Sequence, residues 1–165
     1  MLQRYRNKRM TILLDYSEWK SSYLVEYKAE ELATELFDAV VCQLNVSGLE
    51  YIPYDFRASD TIVGLKAALE LEAFGPDFVI SVYGERLYIS EKDGDFTLVF
   101  EEPSQTGTQR IQFAAEELKE LLSDTLFGLG ETVNAELVSR NESVRFDIER
   151  KYAESVDHIR KQSRQ

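Results

Sequence analysis

Apolar and polar positions alternate most regularly along FVISVYGERLYISEKDGDFTLVFEE, residues 78–102. The period of two predicts a three-stranded antiparallel meander. Two-residue turns at Gly84-Glu85 and Asp93-Gly94 set Val82 opposite Leu87, Ile80 opposite Ile89, Ile89 opposite Leu98 and Leu87 opposite Phe100. Both turns select one apolar face: Ile80, Val82, Leu87, Ile89, Leu98 and Phe100. A slip of one residue would invert it. The other face carries Val79, Ser81, Tyr83, Arg86, Tyr88, Ser90, Thr97 and Val99. Tyrosine and arginine combine large area with hydrogen-bonding tips, so Tyr83, Arg86 and Tyr88 are candidate partner contacts.

Elsewhere the period shifts. Thr11–Tyr16 and Tyr51–Phe56 read as strands, the second interrupted by Pro53 and so either short or at an edge. Ser21–Tyr27 fits either a strand or the approach to a helix. Leu32, Leu36, Val40 and Leu44, widened by Phe37 and Val41, predict an amphipathic helix from Ala29 to Leu44. A second helix is expected from an N-cap at Ser59 to about Ala73, burying Ile62, Leu65 and Leu69 before Gly75-Pro76. RIQF, 110–113, is either a strand or a lead into the next helix. From Ala114, Leu118, Leu122, Leu126, Leu129, Val133 and Leu137 predict a long helix with a kink at Gly128 or Gly130. A last helix from about Asn141 places Val144, Ile148, Tyr152, Val156 and Ile159 on one stripe, and RKQSRQ at the end frays. The fold class expected is α+β, one antiparallel sheet made of the three-stranded meander over 78–101 plus one or two further strands, packed with about four helices.

At 165 residues and 44% hydrophobic, the chain suffices for one domain with its own core. The expected division is a basic N-terminal extension at 1–9, dispensable to the fold; an acidic α+β domain at 10–140; and a C-terminal helix with a basic tail at 141–165, part of the domain or an interface. Charge follows that division. The net of −11 is made of +4 in residues 1–9, +2 in residues 140–165 and −17 in residues 10–139, where 25 acidic side chains face eight basic ones. Such a body repels phosphate backbones, so no nucleic acid is expected and a basic protein is the natural partner. No run nears the roughly 18 apolar residues of a membrane span, so no membrane is expected either. Only Ile12-Leu13-Leu14 follow the basic N-terminus before Asp15, too few for an export segment, and the single Cys42 suits a reducing compartment; the expected location is the cytoplasm.

Chemistry-bearing residues are sparse. His158, the single histidine, falls near the end of the last helix and reads as a surface or boundary residue; Cys42 reads as a small hydrophobe at a helix–core contact. FGLGET, 127–132, has two glycines but no following Lys-Ser/Thr, so it is no phosphate loop. EKDGD, 91–95, lacks the ligand spacing of a calcium loop and reads as a hairpin turn. No catalytic residue, metal site or cofactor is expected. The acids are the exception. Glu116, Glu120 and Asp124 recur at i, i+4 and i+8 with Glu117 beside them, and Glu31 and Glu35 repeat the spacing. Like charges so placed cost a few tenths of a kcal/mol per pair. Either this is a solvated face or it is kept acidic to meet a basic partner.

In size, charge and α+β layout the chain resembles small acidic inhibitors such as bacterial toxin-immunity proteins, a likeness of class that rests on no motif. The leading expectation is a non-enzymatic protein-binding module of that kind. The alternatives are a structural or assembly subunit that docks, or pairs with its own copy, through the C-terminal helix, and a hydrolase whose carboxylates hold a metal.

Overall fold

The computed structural model describes all residues except 22–23, 25–28, 47–51, 79, 83, 103–106 and 163–165. Among the described residues the chain forms two antiparallel four-stranded sheets and four α-helices, an α+β fold. The first sheet has the order β1 (Leu2–Arg6), β2 (Met10–Asp15), β3 (Val41–Val46), β4 (Ile52–Arg57), with α1 (Ala29–Asp38) between β2 and β3. Helix α2 (Ala58–Leu71) leads to the second sheet, β5 (Ile80–Val82), β6 (Glu85–Lys92), β7 (Asp95–Glu102), β8 (Gly107–Phe113). Helices α3 (Ala115–Ser139) and α4 (Ile148–Gln162) complete the chain.

The meander forms as expected in its second hairpin. Ile89 pairs with Leu98 and Leu87 with Phe100, and the Asp93-Gly94 turn holds both residues at positive φ (53° and 85°). At the first hairpin the turn lies one residue earlier, with Val82 opposite Glu85 and Ile80 opposite Leu87. Gly84, at φ 83°, takes the left-handed position. The pairing moves by two residues, so parity is kept and Leu87, Ile89, Leu98 and Phe100 still point into the core. RIQF falls in β8, and the Pro53 strand is the edge strand β4.

The helix expected over 29–44 ends at Asp38, and Val41–Val46 is an inner strand. Its spacing was ambiguous: a step of four is two strand periods, so positions 36, 40 and 44 fit either geometry. Cys42 and Leu44 are buried as alternate residues of β3, so Cys42 is a small hydrophobe in the core as expected, carried there by a strand and not by a helix. Ser59 is not the cap of α2. Arg57 is, without a side-chain cap bond, and the N–H of Ala58 donates to the carbonyl of Val40 (2.9 Å), so the helix leaves β4 with no loop. At its far end Glu72, at φ 53°, closes the helix before Gly75-Pro76 is reached.

Both sheets meet on α2. It touches β3 and β4 of the first sheet, β5 and β6 of the second, and α1, α3 and α4. Ala58, Thr61, Ile62, Val63, Leu65, Ala67, Ala68 and Leu69 are all buried, an almost all-round apolar surface typical of a central helix. Phe56 of β4 and Phe100 of β7 stack edge to face at 6.2 Å, joining the two sheets in one core.

Residues 1–9 are no loose extension: β1 pairs with β2 from Leu2–Asp15 to Arg6–Thr11. Its core-facing Gln3 donates to Thr132 of α3 (3.0 Å) and accepts from Tyr16 (2.6 Å), and Tyr5 lies against Gly128. The two α3 glycines therefore mark close approaches, within one continuous helix, where a kink was expected. A Cβ at 128 would overlap the Tyr5 hydroxyl, and one at 130 would lie 2.9 Å from Cβ of Ile148. The last helix begins at Ile148, seven residues later than expected. Asn141 turns the chain out of α3 at φ 61°, with Asn141 N–H bound to Val138 (3.0 Å) and Glu142 N–H to Leu137 (2.9 Å), the paired bonds of a Schellman ending. The extended segment that follows is held by Asn134, whose amide accepts from the Phe146 N–H (2.7 Å) and donates to its carbonyl (2.9 Å), while the Phe146 ring packs on Phe37 at 5.0 Å.

Two outcomes follow. A chain starting at Met10 should melt about 5 °C or more below the full chain, because it bares the β2 edge and the core beneath Tyr5; an unchanged melting temperature would show that β1 contributes nothing. Gly130→Ala should destabilise in urea unfolding although Ala gains about 1 kcal/mol of helix propensity, because the methyl meets a branched carbon near the α4 backbone.

Candidate functional site

The sequence candidates divide between two surfaces. On the outer face of the second sheet, Arg86 is cross-strand to Glu101, and Tyr88 is two residues along β6. Glu101 accepts from the Tyr88 hydroxyl at Oε1 (2.8 Å) and from the Arg86 guanidinium at Oε2 (2.7 Å from Nε). These bonds, with Arg86 and Arg110 nearby, hold the Glu101 carboxyl below its ordinary range. Tyr88 is only 7% exposed and Val99 beside it is fully buried. Desolvation, then the bond to Glu101, pushes the Tyr88 phenol up. The hydroxyl that would reach a partner is thus already committed within the sheet. Tyr83 lies outside the described residues.

The long helix presents the opposite situation. Its apolar stripe from Leu118 to Leu137 is buried, as its spacing predicts. Glu116, Glu120 and Asp124 are exposed on the reverse side, and at about 100° per residue they share an arc of roughly 80° with Phe127, Glu131 and Val138. Phe127 is 66% exposed and Val138 72% exposed. An outward phenylalanine is thereby set among carboxylates. In the sequence 127–132 stood out only for the kink expected at its glycines, and Phe127 was overlooked; the signal was its angle, opposite the Leu stripe.

The acidic stripe has a basic margin. Arg6, Asn7 and Lys8, at the β1–β2 turn, line a cleft of about 270 Å³ together with Glu117, Glu120, Leu121 and Asp124. Among the described residues no ion pair closes this cleft; the near ion pair on the stripe is Lys119–Glu116 at 3.4 Å. The basic N-terminus and the acidic helix, remote in sequence, are neighbours in space. Glu31 is exposed on α1 and Glu35 half-buried.

Helix α4 directs the start of its apolar stripe inward. Ile148 meets Gly130, Lys66 Nζ lies 3.9 Å from the centre of the Tyr152 ring, and the Tyr152 hydroxyl donates to Glu70, which also pairs with Lys66 (2.6 Å). Farther along, α4 and α2 part to leave a cleft of about 760 Å³ over β5 and β6, where His158 lies. Ser155 there donates to its own helix at the Lys151 carbonyl (3.2 Å) and is not aligned on a base. Cys42 is buried, and burial pushes its thiol up to about 12, far from a reactive thiolate. Among the described residues no three His, Cys, Asp or Glu side chains are grouped to hold a metal ion, and no helix is long and apolar enough to cross a membrane.

No protein-family model, curated protein or solved structure matches the chain.

The sheet-face network gives a pH signature. Because the Glu101 carboxyl is depressed in the folded state, its contribution is complete above the ordinary value of 4.5 and is lost as pH falls through the lower folded value. Glu101→Gln should therefore be less stable than the parent at pH 7, and the gap should narrow in unfolding series taken below pH 4.5; a gap independent of pH would mean that ionisation of Glu101 is irrelevant. On the inner face Ile89→Ala should cost about 2–5 kcal/mol.

Proposed function

We propose that the protein is a non-enzymatic binding module, used as a small acidic inhibitor is used, which engages a basic protein through the outward face of α3. One observation carries the reading: Phe127, two-thirds exposed, is flanked along the same stripe by Glu120, Asp124 and Glu131. A large apolar side chain held in water is an anchor in search of a pocket, and the surrounding acids select a partner with a basic rim. The carboxylates act at long range, raising the encounter rate; Phe127, once desolvated, slows departure. Among the described residues no ion pair engages Glu120, Asp124 or Glu131, which favours this face over the meander, whose tyrosine and arginine are satisfied by Glu101.

The nearby Arg6 and Lys8 decide how this is tested. Lysine at 120 or 124 would face them across the cleft and disturb β1, so neutral replacements isolate binding from folding. A photo-crosslinking residue at 127 should capture a basic protein from the native host, and one at exposed Ala153 on α4 should not. With that protein purified, Glu120→Gln, Asp124→Asn and Glu131→Gln together should slow association about tenfold at low salt, with the difference fading as salt rises. Phe127→Ala should act on dissociation, costing about 2 kcal/mol or more. Equal capture from 127 and 153, or association rates indifferent to salt and to the three substitutions, would defeat the proposal.

A further inference from the structure

The outer edge of β1 carries free backbone groups and a charge pattern of its own. At the two ends of the strand the Tyr16 N–H donates to the Met1 carbonyl (3.0 Å) and the Asn7 N–H to the Met10 carbonyl (2.9 Å). Bonding direction alternates along a strand, so residues 1, 3, 5 and 7 bond to β2, while the N–H and C=O of Leu2, Arg4 and Arg6 point away from it. β1 ends its sheet, and among the described residues no other backbone bond engages these groups. The side chains of the same three residues are exposed, whereas Gln3 and Tyr5 face α3. Leu2 is 54% exposed, and among the described residues neither Arg4 nor Arg6 is in an ion pair. The other sheet edges differ: β5 has three residues, β4 carries Pro53 and pairs with a shifted register, and β8 has a single charged side chain, Arg110. A second copy fits the β1 edge poorly, because antiparallel self-pairing that engages all three residues sets Arg4 opposite Arg4. A strand bearing carboxylates at those positions turns the repulsion into attraction. We propose that the β1 edge binds an extended acidic segment of another protein as a fifth, antiparallel strand, with carboxylates opposite Arg4 and Arg6 and an apolar residue opposite Leu2. Each of the three pairs then exchanges two backbone bonds, and the side chains select the sequence: acid, any, acid, any, apolar in the direction of the incoming strand. Glu120 and Asp124 share a cleft with Arg6 and oppose an acid there, so the carboxylate opposite Arg4 carries more of the selectivity.

The test is an NMR titration of the full chain with the blocked peptide Thr-Glu-Val-Glu-Val-Leu-Thr, whose glutamates fall opposite Arg6 and Arg4 and whose leucine falls opposite Leu2. It should saturate with a dissociation constant on the order of a millimolar, shift the amides of residues 2–6 and slow hydrogen exchange at Leu2, Arg4 and Arg6. The peptide with lysine for both glutamates should bind at least about tenfold more weakly. N-methylation separates strand addition from mere charge attraction: a methyl on the second glutamate, whose N–H bonds to the Arg4 carbonyl, should abolish binding, and one on the valine between the glutamates, whose N–H points to solvent, should leave it nearly unchanged. Arg4→Glu, at an exposed position, should keep the melting temperature and reverse the order of the two peptides. Phe127→Ala on α3 should leave the titration unchanged, which separates this edge from the basic-partner face. Absence of saturation, equal binding of the acidic and lysine peptides, equal loss from the two methylations, or an Arg4→Glu chain that folds and keeps the original order would each overturn the proposal.

Discussion

Burial of α2 on nearly every side is the constraint from which the architecture follows. A helix that buries Ala, Thr, Val, Ile and Leu over most of its circumference, with Ser59, Lys66 and Glu70 on the remaining side, cannot rest on a single sheet, because much of its apolar surface would remain in water. It is covered by strands of both sheets and by the other three helices. Small residues make this possible: Ala67 and Ala68 allow close approach, and Gly64 lets Ile80 of β5 come to within 3.3 Å of where a Cβ would stand. The arrangement has an imperfection. Thr61 is fully buried and its hydroxyl has no partner among the described residues, a cost of about 1–3 kcal/mol that an isosteric valine would avoid.

Because the core is centred on α2, α3 is free to use only its inner stripe for packing. Its outer stripe is not tuned for stability, since glutamates at four-residue spacing repel one another. The β1–β2 turn places Arg6 and Lys8 along one margin and tempers that repulsion without closing on it. The protein thus carries a strong negative field over a rigid helix whose geometry is fixed from beneath by Leu118, Leu122, Leu126 and Leu129. Rigidity matters for binding, as a preformed face spends no ordering entropy when a partner arrives.

The sequence disclosed the elements whose periods were unambiguous. The second hairpin was legible because Asp93-Gly94 and the alternation on either side agree, and the α3 stripe because six apolar residues keep step over five turns. The β3 strand was hidden because Val40 and Leu44 satisfy a helix and a strand alike. The role of residues 1–9 was hidden for a different reason: polar LQRYR has no apolar alternation, and what holds it is a cross-strand ladder and a side-chain network to Thr132 that lies 129 residues away. At the candidate site the acids were visible and their exposure was not. Burial of Tyr88, commitment of Arg86 to Glu101, and the outward turn of Phe127 are properties of packing, which spacing alone does not encode.

If α2 joins both sheets into one core, the two halves of the molecule must unfold together. Trp19, the single tryptophan, reports on the first half through its edge contact with Tyr16 and its bond to the Leu36 carbonyl (2.7 Å). Amide exchange in β6 and β7 reports on the second. Native-state hydrogen exchange across a urea series, set beside tryptophan fluorescence, is the direct measurement. The most protected amides of β3, α2, β6 and β7 should open with one free energy, equal to that from the fluorescence transition. Opening of β6 and β7 at a distinctly lower free energy while Trp19 remains native would contradict it.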